Sequence, residues 1–484
     1  MRITTFHHPT LSLGQSALHE TLLRLPEAHS AALSTDGAPD PAAHLAANDP
    51  RMQQFVALAH ADGHGDHAPA APAAEGYIEN CARKYWQLVK TAAEHGPAAA
   101  RSYYEADIQF QGCDAHWAEA ATTFLAFIES GKSIPYIRLG MNEGILPLPA
   151  PEKGAPLRVA VVGDWGTGAE PARRVLRQIV SQKPDVLIHL GDIYYAGTPH
   201  EAQANFMDVI ASFPELEGVP VYTLAGNHDM YSGGAGYYSL LPKLKQPASY
   251  FCLRNADWQL VCMDTGLHDR DPFTVTWNTT RLEKSEAEWV VDKVRNSGGR
   301  KTILLSHHQL FSRNSPVGMT CSLFGKKAWG VNPRLHRQLR EVLDDVTVWL
   351  WGHEHNTVIF EKTDGLPLGR CVGSGAIPVP TEPDPYADYT AHPLVAPGGV
   401  QVPRQDPKHR LSSAPNDYGE DLFYHGYAMV EFNGASATVT YYQVPPSRAR
   451  TEAEGSTAVF AETFGAPQKV PAMRIADVKP EVPA

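Results

Sequence analysis

Five short apolar segments of this chain each run straight into a residue of ligand type. "LRVAVV", from Leu157, leads to Gly163 and Asp164, and "DVLIHL", from Asp185, leads to Gly191, Asp192, Tyr194 and Tyr195. "VPVYTLA", from Val219, leads to Gly226, Asn227, His228 and Asp229. "KTILLS", from Lys301, leads to His307 and His308, and "VTVWLW", from Val346, leads to Gly352, His353, Glu354 and His355. Each segment is rich in β-branched or aromatic residues and bounded by turn signals, as a buried strand is. All end in the same sense, most of them through a glycine. In layered α/β sheets ligands bind at the carboxyl ends of the strands, so these ends are expected to converge on one crevice. Any one cluster reads equally well as a turn or a helix cap, the routine use of Asp and Asn. The full set does not.

Between the strands, "PARRVLRQIVSQ" and "SEAEWVVDKVRNS" have helical periodicity. The alternation predicts an α/β layered domain over residues 151–445, closed by the hairpin "GYAMVEF"–"ATVTYYQV" across Asn433-Gly434. Residues 1–150 differ. "YIENCARKYWQLVKTAAEH" and "HWAEAATTFLAFIESGK" predict a helical N-terminal region, preceded by a flexible His/Ala/Pro-rich loop from His60 to Gly76. "LPLPAPEKGAP", from Leu146 to Pro156, reads as a linker, and residues 446–484 as an extended tail. The Pro- and Asp-rich stretch from Pro378 to Asp421 reads as a lid or a disordered loop.

Composition narrows the function classes. The chain has 484 residues, 43% apolar and 19% charged, the proportions of a soluble globular protein. A net charge of −12 with no basic tail argues against non-specific nucleic-acid binding. No run approaches a membrane span and the first residues lack the apolar core of a signal peptide, so a cytoplasmic location is expected. The cysteines Cys81, Cys113, Cys252, Cys262, Cys321 and Cys371 form no CxxC, which points to free thiols in a reducing compartment. Cys252 and Cys262 are placed to meet across a hairpin, but buried free thiols are the expectation for them too.

The residue types suit metal chemistry. Asp and Tyr oxygens are hard donors for Fe(III), Mn(II) or Mg(II), and imidazoles suit iron and zinc. A single carboxylate can bridge two cations about 3.5–4 Å apart. A dinucleotide-binding turn is the rival reading of "GDWGTG", but Gly163, Gly166 and Gly168 lack the G-x-G-x-x-G spacing, and no G-K-[ST] follows.

Taken in order, "GDWG", "GDIYY", "GNHD", "SHHQ" and "GHEH" resemble the motifs of the calcineurin-like metallophosphoesterases, and within them the purple acid phosphatase branch. The resemblance spans roughly Leu157 to Phe360. It implies a β-sandwich flanked by helices, with two metal ions at its rim, iron paired with iron, manganese or zinc. By that resemblance Asp164, Tyr195 and His355 hold the first metal, Asn227, His307 and His353 the second, and Asp192 bridges. His228 is the acid or transition-state donor and Asp229 orients it. Many relatives carry Asp-x-His in the first motif; here Gly166 takes the third place and Tyr195 makes up the ligand count, leaving Tyr194 to packing. His308 and Arg313, with Lys326 and Lys327 beyond them, are candidates for contacting substrate. The implied reaction is hydrolysis of a small phosphate monoester by a metal-bound hydroxide. A phosphodiesterase acting on nucleotides or phospholipid head groups would use the same metals. A catalytically silent metal-binding scaffold would be expected to have lost a ligand or His228. Oligomeric state is not legible.

Overall fold

The segments read as strands are strands in the computed structural model, which describes residues 73–465 apart from 115, 273, 275–277, 323–324 and 383. In chain order they are β1 (Ile145–Pro147), β2 (Leu157–Val162), β3 (Val186–His189), β4 (Val221–Thr223), β5 (Phe251–Arg254) and β6 (Trp258–Cys262). Then come β7 (Lys301–Ser306), β8 (Met319–Ser322), β9 (Gly325–Trp329), β10 (Val346–Trp351), β11 (Thr357–Ile359) and β12 (Leu368–Val372). The last are β13 (Leu394–Val395), β14 (Ser413–Pro415), β15 (Asp421–Phe423), β16 (His425–Asn433), β17 (Ser436–Val444) and β18 (Thr457–Phe464).

Two sheets carry the fold. One is seven-stranded, in the order β1-β5-β6-β7-β10-β12-β11, and the other six-stranded, in the order β18-β17-β16-β2-β3-β4. Their inner faces bury Val159, Val161, Ile188, Ile303, Leu305, Val348 and Leu350 in a shared core. Such strands, covered on both sides, have to be apolar nearly throughout. The Glu170–Ser181 helix covers the outer face of the second sheet through Ala172, Val175, Leu176 and Ile179. The helices Lys284–Arg295 and Pro333–Leu339 cover the first through Val290, Val294, Leu335 and Leu339. The result is a β-sandwich flanked by helices. β2, β3 and β4 run parallel, as do β6, β7, β10 and β12, so each group ends at one edge of its sheet.

Several sequence expectations are corrected. Residues 146–156 are not simply a linker, because Ile145–Pro147 pairs in parallel with β5. The expected tail supplies a helix, Arg448–Glu454, and the edge strand β18; residues 466–484 lie outside the described residues. The stretch after Pro378 is irregular but packed, with Tyr386, Leu411 and Ala414 buried in the outer core of the first sheet.

The N-terminal region is helical at Ala73–His95, Pro97–Asp107 and Trp117–Glu129, while most of the His60–Gly76 loop lies outside the described residues. A Cys81–Cys113 disulfide ties the first of these helices to the loop before the third, with Cα atoms 5.3 Å apart. The all-thiol expectation fails here, because spacing along the chain carries no information on which cysteines meet in space. The disulfide also counts against a reducing compartment. Cys252 and Cys262 are free: Cys252 stands opposite Val261, so the two thiols point into different cores. Among the described residues no helix is long and apolar enough to cross a membrane.

Candidate metal centre

The carboxyl ends of the two parallel groups meet. The amide of Gly163, after β2, donates to the Val372 carbonyl at the end of β12, and that of Gly352, after β10, to the His307 carbonyl after β7. The approach is close enough to require glycine. A Cβ on Gly226 would lie 2.0 Å from Asp192 Oδ1, and one on Gly352 2.6 Å from Asp164 Oδ2. The polar residues that follow are bent inward. Asp164, Asp192, His353 and His355 all have φ between 51° and 75°, the left-handed region that ordinary residues avoid. Backbone held in that region by its surroundings is a mark of functional sites.

Two donor groups result, sharing one carboxylate oxygen. In the first, the Tyr194 hydroxyl lies 3.0 Å from Asp164 Oδ1, 3.2 Å from Asp192 Oδ2 and 3.0 Å from His355 Nε2. In the second, His307 Nε2 lies 3.1 Å from Asn227 Oδ1, 3.2 Å from His353 Nδ1 and 3.3 Å from Asp192 Oδ2. His307 Nδ1 must donate to the Leu190 carbonyl, 3.1 Å away, which leaves Nε2 bare in the neutral ring. Two of its neighbours there, Asn227 Oδ1 and Asp192 Oδ2, offer lone pairs as well. In the first group one phenolic proton faces two carboxylate oxygens and an imidazole nitrogen. Lone pairs converging on lone pairs in a buried site are costly unless a cation sits among them, so the residues present fit metal ions. The carboxylates also draw positive charge into the cluster, here as a second proton on the His307 ring. Burial would lower the His307 pKa, yet the carboxylates of Asp192, Asp164 and Asp229 hold it up at about 9. Burial likewise would raise Asp192, but His307 and His228 keep it well below the usual carboxylate range. Tyr194 is pushed up by burial and by Asp164 and Asp192. His353 is pushed down by burial and the neighbouring histidines.

The structure thus brings together Asp164, Asp192, Asn227, His307, His353 and His355. It does not bring in Tyr195. That ring stacks on Phe110 with centroids 4.7 Å apart, and its hydroxyl donates to the buried Asp114 Oδ2 at 2.6 Å. The neighbouring Tyr194 faces the cluster instead. Spacing along the chain selected the wrong tyrosine, because what decides the matter is a carboxylate supplied by the N-terminal region.

His228 lies beside the first donor group, its ring centroid 4.6 Å from that of Tyr194. Its Nδ1 donates to the Tyr195 carbonyl, 2.6 Å away, and its Nε2 faces Asp192 Oδ2 at 3.9 Å. Burial pushes its pKa down. Asp229 does not orient it. Asp229 Oδ2 accepts from the backbone amides of Gly226 and Asp192 at 2.8 and 2.9 Å, so this carboxylate fixes the two loops and not the ring. His308 packs beside His353 with ring centroids 4.4 Å apart, and both its nitrogens are engaged, by Thr265 and Asp269. Neither nitrogen is left for a substrate contact. Arg313 stands apart, paired with Asp388 at 2.8 Å in a surface basin of about 410 Å³ that Arg404 and Arg410 also line. Lys327 lies over the Trp329 ring, and the Lys326 side chain lies outside the described residues.

A sandwich whose strand ends gather carboxylates, imidazoles and a phenol into a metal-ligating rim has the architecture of a metal-dependent phosphoesterase. Residues 157–357 match the family described as calcineurin-like phosphoesterase. The chain is 25% identical over 343 residues to tartrate-resistant acid phosphatase type 5 of Sus scrofa, covering 61% of this chain and 88% of that protein. It is 24% identical over 337 residues to the Homo sapiens protein of the same name, covering 62% and 91%. A solved structure titled as GAP50, the anchor in the inner membrane complex of Plasmodium, aligns with 65% of this chain and 90% of its own at 14% identity and a TM-score of 0.40. Residues 157–357 thus form a calcineurin-like phosphoesterase domain, and the likeness to acid phosphatases supports the purple acid phosphatase-like branch and a phosphoric ester hydrolase.

Proposed function

We propose that the chain hydrolyses phosphate monoesters at a binuclear metal centre. One observation carries the binuclear reading: Asp192 Oδ2 lies 3.2 Å from the Tyr194 hydroxyl and 3.3 Å from His307 Nε2, so a single oxygen belongs to both donor groups. Asp164, Tyr194 and His355 would hold one ion, and Asn227, His307 and His353 the other. When bound, such a pair supplies Lewis acidity toward the phosphoryl oxygens and a nucleophile at neutral pH. A phenol in the donor set favours Fe(III) at the first position, paired with iron, manganese or zinc at the second.

The chain's own residues do the rest. Asp229 holds the backbone of Gly226 and Asp192, which keeps the shared carboxylate in register with Asn227. His228, with Nδ1 fixed by the Tyr195 carbonyl, presents Nε2 to the site and, when the ring is protonated, which burial confines to acid pH, donates the Nε2 proton to the leaving oxygen. The resemblance to acid phosphatases over most of their length supports the monoester class. The test is elemental analysis of purified protein, followed by a hydrolysis panel of monoesters and diesters with Fe, Mn or Zn restored. Two metals per chain and faster monoester turnover are expected. Protein that holds no metal and gains no activity from any of them would sink the reading.

A further inference from the structure

Next to His228 stands a side chain from outside the family-matched residues. Trp117 opens the Trp117–Glu129 helix, far before residue 157. Its ring centroid lies 5.6 Å from that of His228 and 6.0 Å from that of Tyr194. It meets Tyr195 edge-on at 5.1 Å. Its placement is fixed twice over. The indole Nε1 donates to the Gln111 carbonyl at 2.9 Å. Behind it, Ala120 and Phe124 pack against Ala196 and Tyr231, the latter in the same short helix as His228. Yet the indole is only half-buried, unlike the fully covered tryptophans of the sandwich core. An anchored aromatic that is not fully covered, in ring contact with the His228 proposed to protonate the leaving oxygen, stands within reach of the alcohol part of an ester.

We infer that Trp117 is a specificity-determining residue that forms a wall for the leaving group and makes aromatic phosphate monoesters the preferred substrate class. The inference rests on the reading of the site as a phosphomonoesterase. An aryl group packs on an indole by offset or edge-to-face contact, which a small alkyl group cannot reproduce. One such contact corresponds to about 2- to 10-fold in affinity.

The test measures binding separately from turnover. Phenylphosphonate and methylphosphonate, which are not esters and cannot be hydrolysed as such, are titrated by calorimetry into metal-loaded wild-type protein, Trp117→Ala and Trp117→Phe. Wild type should bind phenylphosphonate more tightly than methylphosphonate. Trp117→Ala should shrink that ratio by about 2- to 10-fold, and Trp117→Phe should restore most of it. Should Trp117→Ala fail to fold, Trp117→Leu, which keeps the apolar bulk but has no aromatic face, should shrink the ratio in its place. A ratio unchanged in the folded Ala or Leu variant, or no preference in wild type, overturns the inference. Turnover of phenyl phosphate is measured in parallel. If wild type binds with the expected preference but hydrolyses nothing, the reaction class falls and the wall stands.

Discussion

At the sandwich rim, Asp164, Asp192, Asn227, His307 and His353 each follow a strand, and the strand's direction alone sends them to the site. In the helical layer beside it, Asp114 and Trp117 follow no strand. They reach the site through tertiary contacts, Asp114 to the Tyr195 hydroxyl and Trp117 to the His228 ring. The difference separates two kinds of work. The rim supplies donors whose chemistry is generic to metal-assisted hydrolysis. The layer decides which of two adjacent tyrosines faces the donor cluster and what shape lies beside His228. Losses at the rim should therefore abolish function, and losses in the layer should retune it.

The largest expected effect is at the oxygen common to both donor groups. Asp192→Ala should drop activity below detection and release at least one metal, as read by elemental analysis. Full activity with both metals retained would dissolve the rim as a single unit. Next in size is His228→Ala. If His228 transfers a proton and ligates nothing, both metals stay and turnover falls by roughly 10²–10⁴. The fall should be smaller for a nitrophenyl ester, whose leaving group needs little protonation. Metal loss in this variant would move His228 into the ligand set.

The tyrosine pair gives the sharpest contrast between the two regions. Tyr194→Phe removes a hydroxyl within 3.2 Å of Asp164, Asp192 and His355 and should weaken metal retention by at least about 10- to 100-fold, the cost of losing even an outer partner of a metal ligand. Any visible phenolate-to-iron band should vanish with it. Tyr195→Phe should leave metal content and the band intact, and cost about 1–3 kcal/mol of stability by leaving the buried Asp114 one donor short. The reverse pattern would show that Tyr195 turns into the site when metals bind.

That contrast also marks where sequence stops being informative. Strands, their order of ligand types and the hairpin at Asn433-Gly434 were legible because they depend on local periodicity and on which residue follows a strand. Asn227 and His353 could be placed in the site before any coordinates, since a parallel strand has only one carboxyl end. Tyr194 could not. Ile193, Tyr194 and Tyr195 leave the β3 loop at neighbouring positions, and the choice between the tyrosines is made by Phe110 and Asp114 some eighty residues earlier. The role of Asp229 was misread for a related reason. Adjacency to His228 suggested a side-chain pair, whereas the carboxylate turns back to the amides of Gly226 and Asp192. The Cys81–Cys113 bridge and Trp117 carry no local signature at all.

The smallest expected effect on catalysis comes from that bridge. Cys81 and Cys113 are 32 residues apart, and opening a loop of that length costs about 3–4 kcal/mol in chain entropy. The loss falls on the helical layer, because the bridge joins the Ala73–His95 helix to the loop that carries Asp114. A Cys81→Ser/Cys113→Ser variant should therefore show earlier unfolding or faster amide exchange in the helical layer, while the sandwich keeps its metals. If Trp117 depends on the layer for its position, the preference for phenylphosphonate over methylphosphonate should weaken in this variant, by no more than in Trp117→Ala. Loss of metal along with the bridge would break the comparison. It would mean that the layer, through Asp114 and Tyr195, holds the rim together and does more than shape what the rim accepts.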